Sequence, residues 1–291
     1  MKDPSGRPAE GEREAAGTLY VVATPIGNLE DITLRAVRIL KEVRLIAAED
    51  TRRTRILLDK YAISTPLTSL YDQNEAKKSG FLISRLLAGE DVAYVSDAGT
   101  PGISDPGYIL VREAILQGIR VAPIPGVSAL IAALSVSGLP MDSFVFLGFL
   151  PSKSVRRRKL LTSLREEGKT LIFYESPHRL QASLKDIAEV LGDRDVVVSR
   201  EMTKIHEEFL RGPAGVVTAG IGDAAVKGEL TLIVAGRTGD IPECSDAELI
   251  RRCRQLQREA DKELSRRDIA DRIAKETGVC RRRIYRLLLF P

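Results

Sequence analysis

The chain has 291 residues, 44% hydrophobic, 29% charged and 5% aromatic, with a formal net charge of +4. That mixture is too apolar for a disordered protein, and at roughly 100–200 residues per domain the length allows two domains with a sizeable core. Its longest apolar runs, such as residues 144–150, fall well short of the roughly 18 residues a membrane-spanning helix needs.

The opening MKDPSGRPAEGEREAA carries four acids against three bases and lacks the apolar core of a signal peptide, so residues 1–16 read as a disordered tail on a cytoplasmic protein. From Thr18 onward, short β-rich runs alternate with helical periodicity. Strands are predicted at residues 19–24, 45–48, 92–96 and 120–124, and amphipathic helices at 32–43, 75–87 and 108–117. This is the pattern of an α/β lobe with a largely parallel sheet, placed at residues 17–140. Beyond Pro140 a second α/β lobe is predicted over residues 141–240, with strands at 144–150, 170–174, 195–199 and 229–235 and helices at 155–165 and 177–191. Residues 245–291 read differently, as three helices at 246–259, 266–276 and 281–289. Ser265 and Asp268 form a capping-box pattern, and Gly278 is placed to end the middle helix. This segment holds thirteen Lys or Arg against eight Asp or Glu, so the basic character of the chain is concentrated there. It looks like a helix-turn-helix module, and a packing or dimerising helical cap fits the same pattern.

The most informative stretch is SDAGTPGISDPG at residues 96–107, directly after a predicted strand. Three glycines and two prolines fix an irregular backbone there, and in an open α/β sheet ligands sit beyond the carboxyl ends of strands. A second turn, PGVSA at residues 125–129, follows the next strand on the same sheet edge, where Ser128 could cap a helix or face a ligand. The first strand ends in TPIGNLED at residues 24–31, without the G-x-G-x-x-G of dinucleotide-binding proteins. A formal match at residues 220–225 lacks the strand and helix that would support it, and no phosphate-binding P-loop occurs. Polar clusters close other predicted strands, at residues 49–53, 72–75, 174–179 and 200–208, and together suggest a polar cleft. The two histidines, His178 and His206, and the cysteines Cys244, Cys253 and Cys280 show no metal-ligand spacing, so no metal is expected. A G-x-S-x-G elbow is missing, which excludes the common serine-hydrolase arrangement.

Taken together, LYVVATPIGNL at 19–29, AEDTR at 48–52, the 96–107 loop, PGVSA, the stretch 173–179 and the stretch 200–207 resemble the ribosomal-RNA branch of the tetrapyrrole methylase superfamily over about residues 17–236. The resemblance implies a two-lobed tetrapyrrole-methylase-like fold with a small helical C-terminal module, and a homodimer. It also implies methylation of the ribose 2′-hydroxyl of a cytidine in 16S rRNA of the small ribosomal subunit, with S-adenosylmethionine as cofactor. In relatives a G-D-P triplet touches the cofactor; here it reads Gly99-Thr100-Pro101, with the aspartate displaced to Asp97. The alignment further implies Ile26, Ile103, Ser128 and Ala129 as cofactor contacts, joined by Tyr174 and Thr231. Asp50, Arg52, Arg53, Asn74 and Arg179 are the implied substrate-binding residues. A ribose hydroxyl is a poor nucleophile until it loses its proton, so a base or an alkoxide-stabilising cation is expected; Glu201 and Lys204, then Glu175, are the candidates. Arg52, Arg53, the basic run 153–159 and Arg281 to Arg283 are the expected phosphate contacts. Two other readings remain on sequence grounds: methylation of a small tetrapyrrole precursor, and a ligand-sensing DNA-binding regulator. The arginine runs favour RNA over a small macrocycle, which requires no basic surface.

Overall fold

The computed structural model describes residues 16–221, 227–237, 245–259, 264–277, 279 and 281–289. The expectations for the first fifteen residues and for Gly222 to Ala225, Cys244, Gly278 and Cys280 lie outside them. Residues up to 165 together with 169–235 form one compact unit, and 166–168 with 236–291 form another.

In the first unit the chain runs β1 (Thr18–Val22), α1 (Leu34–Glu42), β2 (Leu45–Ala48), α2 (Thr51–Lys60), β3 (Leu67–Ser69), α3 (Glu75–Leu87), β4 (Val92–Val95), α4 (Tyr108–Leu116), β5 (Arg120–Ile124) and α5 (Ala129–Ser135). These strands make a parallel sheet in the order β3-β2-β4-β1-β5. A parallel sheet is covered on both faces, so its strands read as continuous apolar runs. In β2, Ile46 and Ala48 pack toward Ala36, Leu40 and Leu57. Leu45 and Ala47 enter the opposite core with Leu82, Leu86 and Leu110. Side-chain caps start the helices on this scaffold: Thr33 Oγ1 accepts from the Ala36 amide at 3.1 Å, and Asp50 Oδ1 accepts from the Arg52 amide at 2.8 Å.

The chain continues through β6 (Phe144–Phe149), α6 (Ser154–Ser163), β7 (Thr170–Glu175), α7 (Leu180–Leu191), β8 (Asp195–Arg200), β9 (Glu208–Pro213), α8 (Ala214–Ile221) and β10 (Leu230–Val234). The second sheet has the order β6-β7-β10-β8-β9 and is mixed. Only β6 and β7 run parallel; β10 is antiparallel to both β7 and β8, and β9 is antiparallel to β8. The short 201–207 connection permits the antiparallel return of β9, whereas a parallel partner would need a crossover of a dozen residues or more. One face of this sheet packs on α6, α7 and α8 around Phe173, Leu184 and Leu232. The other meets α5 through Leu130, Ala133, Ile172 and Ile233, a cluster that also takes in Ile26 of the first half.

Among its described residues the other unit has three helices, α9 (Asp246–Glu259), α10 (Arg266–Thr277) and α11 (Arg281–Leu289), around Leu249, Cys253, Ile269 and Ile284. Ser265 Oγ accepts from the Asp268 amide at 3.2 Å, as the capping pattern predicts. Burial pushes the Cys253 thiol above its usual value, which keeps it un-ionised and chemically inert. Among the described residues no helix is long and apolar enough to cross a membrane.

Candidate functional site

Strands β1 and β4 are neighbours, but their connections leave in opposite directions, β1 toward β2 and β4 toward β5. Such a reversal opens a crevice at the carboxyl ends of the strands. Two loops face each other across it, 23–28 after β1 and 96–107 after β4. A single antiparallel bridge ties them: the Thr24 amide donates to the Gly99 carbonyl at 2.9 Å and the Gly99 amide to the Thr24 carbonyl at 3.0 Å. Gly99 adopts φ +81°, and a Cβ there would meet Ile26 at 3.4 Å. Its amide and carbonyl are therefore already engaged, and what the glycine provides is close approach.

Between these loops and the second sheet lies a cavity of about 420 Å³. It brings together Ile26, Asp97, Gly99, Thr100, Ile103, Ser128, Ala129, Tyr174, Glu175 and Thr231, with Arg53 at its edge. Thr100 Oγ1 donates to the Val127 carbonyl at 3.2 Å, locking the 96–107 loop to the turn that carries Ser128. Ser128 starts α5 without a side-chain cap, so its hydroxyl is left for the cavity. The Tyr174 ring meets Phe146 edge-on at 5.0 Å and Phe149 at 5.6 Å, an aromatic wall on one side.

Acidic groups dominate the charge of the wall. Glu49, Asp97, Asp105, Glu175 and Glu229 line it against the single guanidinium of Arg53. Asp97 accepts from the Asp50 amide at 2.9 Å and pairs with Arg53 at 3.2 Å. Burial, and then the charge of Glu49, raise the Asp105 carboxyl to about 6; burial and Asp97 push Glu49 up as well. The sequence singled out neither residue as a site. Asp105 stands in the quoted loop and Glu49 in a quoted cluster, but their enclosure is a property of the folded chain.

Most of the remaining candidates are held in ion pairs. Glu175 is fully buried, with one oxygen on Arg179 and the Ser176 amide and the other on Ser183, so it anchors Arg179. Glu201 and Lys204 pair at 2.9 Å, and Lys204 also reaches Glu229 at 3.2 Å. Burial alone would push Lys204 down, but the hydrogen bonds to Glu201 and Glu229 outweigh it and hold its pKa above the usual lysine value. The Lys204 hydrogen bond holds Glu201 below the usual carboxylate range. Both are held in their charged forms, so neither is a ready proton acceptor, while Lys204 keeps the positive charge that an alkoxide-stabilising role requires. Asn74 accepts from the Tyr71 amide, and Asp50 pairs with Arg52 at 2.9 Å; neither they, Arg52, Arg179 nor Glu201 line the cavity. In the basic run, Arg157 is buried against Asp186 at 2.6 Å and Arg158 pairs with the same carboxylate at 2.9 Å, so both tie α6 to α7 instead of facing phosphate. Arg281 and Arg283 pair with Asp271 and Asp246.

The Glu201 turn is conformationally tight. Glu201 and Thr203 have φ of +49° and +66°, and a Cβ on Gly228 (φ +96°) would stand 2.4 Å from the Glu201 carboxyl carbon. Gly228→Ala is expected to cost about 1–3 kcal/mol, read as a loss of thermal stability. A stability unchanged from the parent would show that this turn relaxes freely.

The comparisons with known proteins agree with this geometry. A family model described as Tetrapyrrole (Corrin/Porphyrin) Methylases matches residues 18–218. Ribosomal RNA small subunit methyltransferase I of Synechocystis sp. is 48% identical over 275 residues, covering 94% of this chain and 98% of that protein. The protein of the same name from Halalkalibacterium halodurans is 52% identical over 225 residues, covering 77% and 78%. In fold, the chain is similar to uroporphyrin-III C-methyltransferase from Thermus thermophilus, solved complexed with S-adenyl homocysteine, with a TM-score of 0.55 at 19% identity over 75% of this chain and 97% of that one. With half its residues shared with the first two proteins along most of their length, the chain belongs to the tetrapyrrole methylases, in the family named ribosomal RNA small subunit methyltransferase I.

Proposed function

We propose that the chain transfers a methyl group from S-adenosylmethionine to the 2′-hydroxyl of a cytidine ribose in small-subunit rRNA. The observation that carries this reading is the acidic, aromatic-sided cavity at the sheet's reversal point, lying beside the arginines of α2. The donor carries a sulfonium and an ammonium, and of the five wall carboxylates Asp97, Glu175 and Glu229 are paired with Arg53, Arg179 and Lys204, which leaves Glu49 and Asp105 to suit a cation. About 420 Å³ lies within the roughly 300–1,000 Å³ of small-molecule sites. Ile26, Ala129, Tyr174 and Thr231 would hold the donor, with the 99–103 backbone close against it. When bound, S-adenosylmethionine supplies an electrophilic methyl whose bonding pair returns to sulfur as the new O–CH₃ bond forms.

What the protein adds is position and a proton acceptor. Of the carboxylates on the wall, Asp105 has a proton affinity raised toward neutrality, and we assign it as the base for the ribose hydroxyl. Arg52, Arg53 and Arg55 are exposed along α2 and serve as phosphate contacts. The homodimer and cytoplasmic location implied by the resemblance complete the reading. Ile131, Val136, Met141 and Phe144, exposed from α5 into β6, are surface of the kind a partner copy would cover.

The test is incubation with labelled donor and small ribosomal subunits lacking the modification. Label is expected in rRNA, at a linkage that resists alkaline cleavage because the methylated oxygen can no longer attack its phosphate. Transfer is expected to weaken as salt rises. Label on a tetrapyrrole and none on RNA would overturn the reading.

A further inference from the structure

Transfer requires the acceptor oxygen beside the donor, and a second cavity of about 220 Å³ adjoins the first. Ile26, Arg53, Asp97, Ala98 and Glu229 form their common wall. On its far side the second cavity is apolar, lined by Pro25, Leu29 and Ile56. Ile56 is 64% exposed, an apolar side chain set on the solvent face of α2 among Arg52, Arg53 and Arg55. The polar groups at the inner end are already balanced: Lys204 by Glu201 and Glu229, Arg53 by Asp97.

We propose that this second cavity takes the target nucleoside of the RNA, turned out of its strand, a subsite that deepens and rests on the rRNA methyltransferase reading. The space is that of one nucleoside, not of a four-ring macrocycle. An inner end with neutralised charges suits a base and sugar better than a phosphate, whereas the exposed guanidinium of Arg55, next to Ile56 on α2, suits a flanking phosphate. Pro25, Leu29 and Ile56 offer apolar contacts to the base. A nucleotide stacked in RNA cannot bring its sugar against a donor held in an enclosed site, so extrusion into a neighbouring pocket is the route open to it.

Two measurements test the subsite. With p-benzoylphenylalanine at position 56, irradiation of the complex with small subunits is expected to crosslink to the methylated nucleotide or its immediate neighbours. Ile56→Trp, at a surface position where folding tolerates the larger ring, is expected to lower methyl transfer at least tenfold while calorimetry shows donor affinity within twofold of wild type. Both results are required. A crosslink elsewhere in the rRNA, no crosslink, or an Ile56→Trp enzyme with wild-type kcat and KM overturns the subsite. A wild-type enzyme that methylates no subunits overturns the underlying function instead, so the two failures are distinguishable.

Discussion

Replacing Asp105 by asparagine is expected to slow methyl transfer by about 10²–10⁴-fold, the usual contribution of a positioned general base, while making the protein more stable at neutral pH. The carboxyl lies in the cavity wall with its pKa raised from 3.8 to about 6, first by burial and then by Glu49, against the hydrogen bond from Ser96; Asp97 and Asp72 add to the rise. The folded state thus binds this proton more tightly than the unfolded chain. The contribution of Asp105 to stability is fully present below about pH 4 and is lost as pH climbs through about 6, where the enclosed carboxylate ionises. Activity runs the other way, because the base must be unprotonated: kcat/KM should climb through pH about 6 and then level off. Asp105→Asn removes both effects, so its Tm should exceed that of wild type at pH 7.5 and approach it at pH 4. Wild-type rates in the variant, with the same pH profile, would assign the proton transfer elsewhere, Glu49 being next.

Glu75→Ala is expected to cost about 3 kcal/mol or more and to weaken donor binding about tenfold. Glu75 is 6% exposed, and its Oε1 accepts from the amides of Gly107 and Ile109, each at 2.9 Å, and of Leu110 at 3.4 Å. One side chain on α3 therefore closes the first turn of α4, which Gly107 begins at φ +119° without a cap of its own. Removing it strands buried amides and slackens the loop that ends there, the loop lining the cavity. A Tm drop of about 6–12 °C is expected for a unit of this size. Glu75→Gln keeps an acceptor oxygen and should recover most of the binding. Loss of stability with unchanged donor affinity would show that Glu75 serves the helix without serving the loop.

The sequence was most legible where burial is uniform. Residues 45–48 coincide with β2, all four of them buried, because an apolar run between polar turns has few other places to go. It was least legible at β9, where Glu208, Arg211, Gly212 and Pro213 leave no alternation to read, and at α2, whose three arginines hide a helix behind a charge cluster. The antiparallel setting of β10 leaves no local trace either, since strand direction is decided by partners distant in the chain. In the site, glycines and prolines announced the 96–107 loop, but the pairing that commits Glu201 to Lys204 and the enclosure that perturbs Asp105 arise from residues brought together by folding.

The carboxylate of Glu75 also decides what the first turn of α4 refuses. The amino end of a helix following a glycine-rich loop attracts phosphate, and adenine nucleotides such as ATP share the adenosine half of the methyl donor. Here that end is filled from within by a negative charge, and the surrounding wall is acidic too. A triphosphate brought to these amides would meet repulsion where other nucleotide enzymes offer a cradle, so the start of α4 is closed to phosphate.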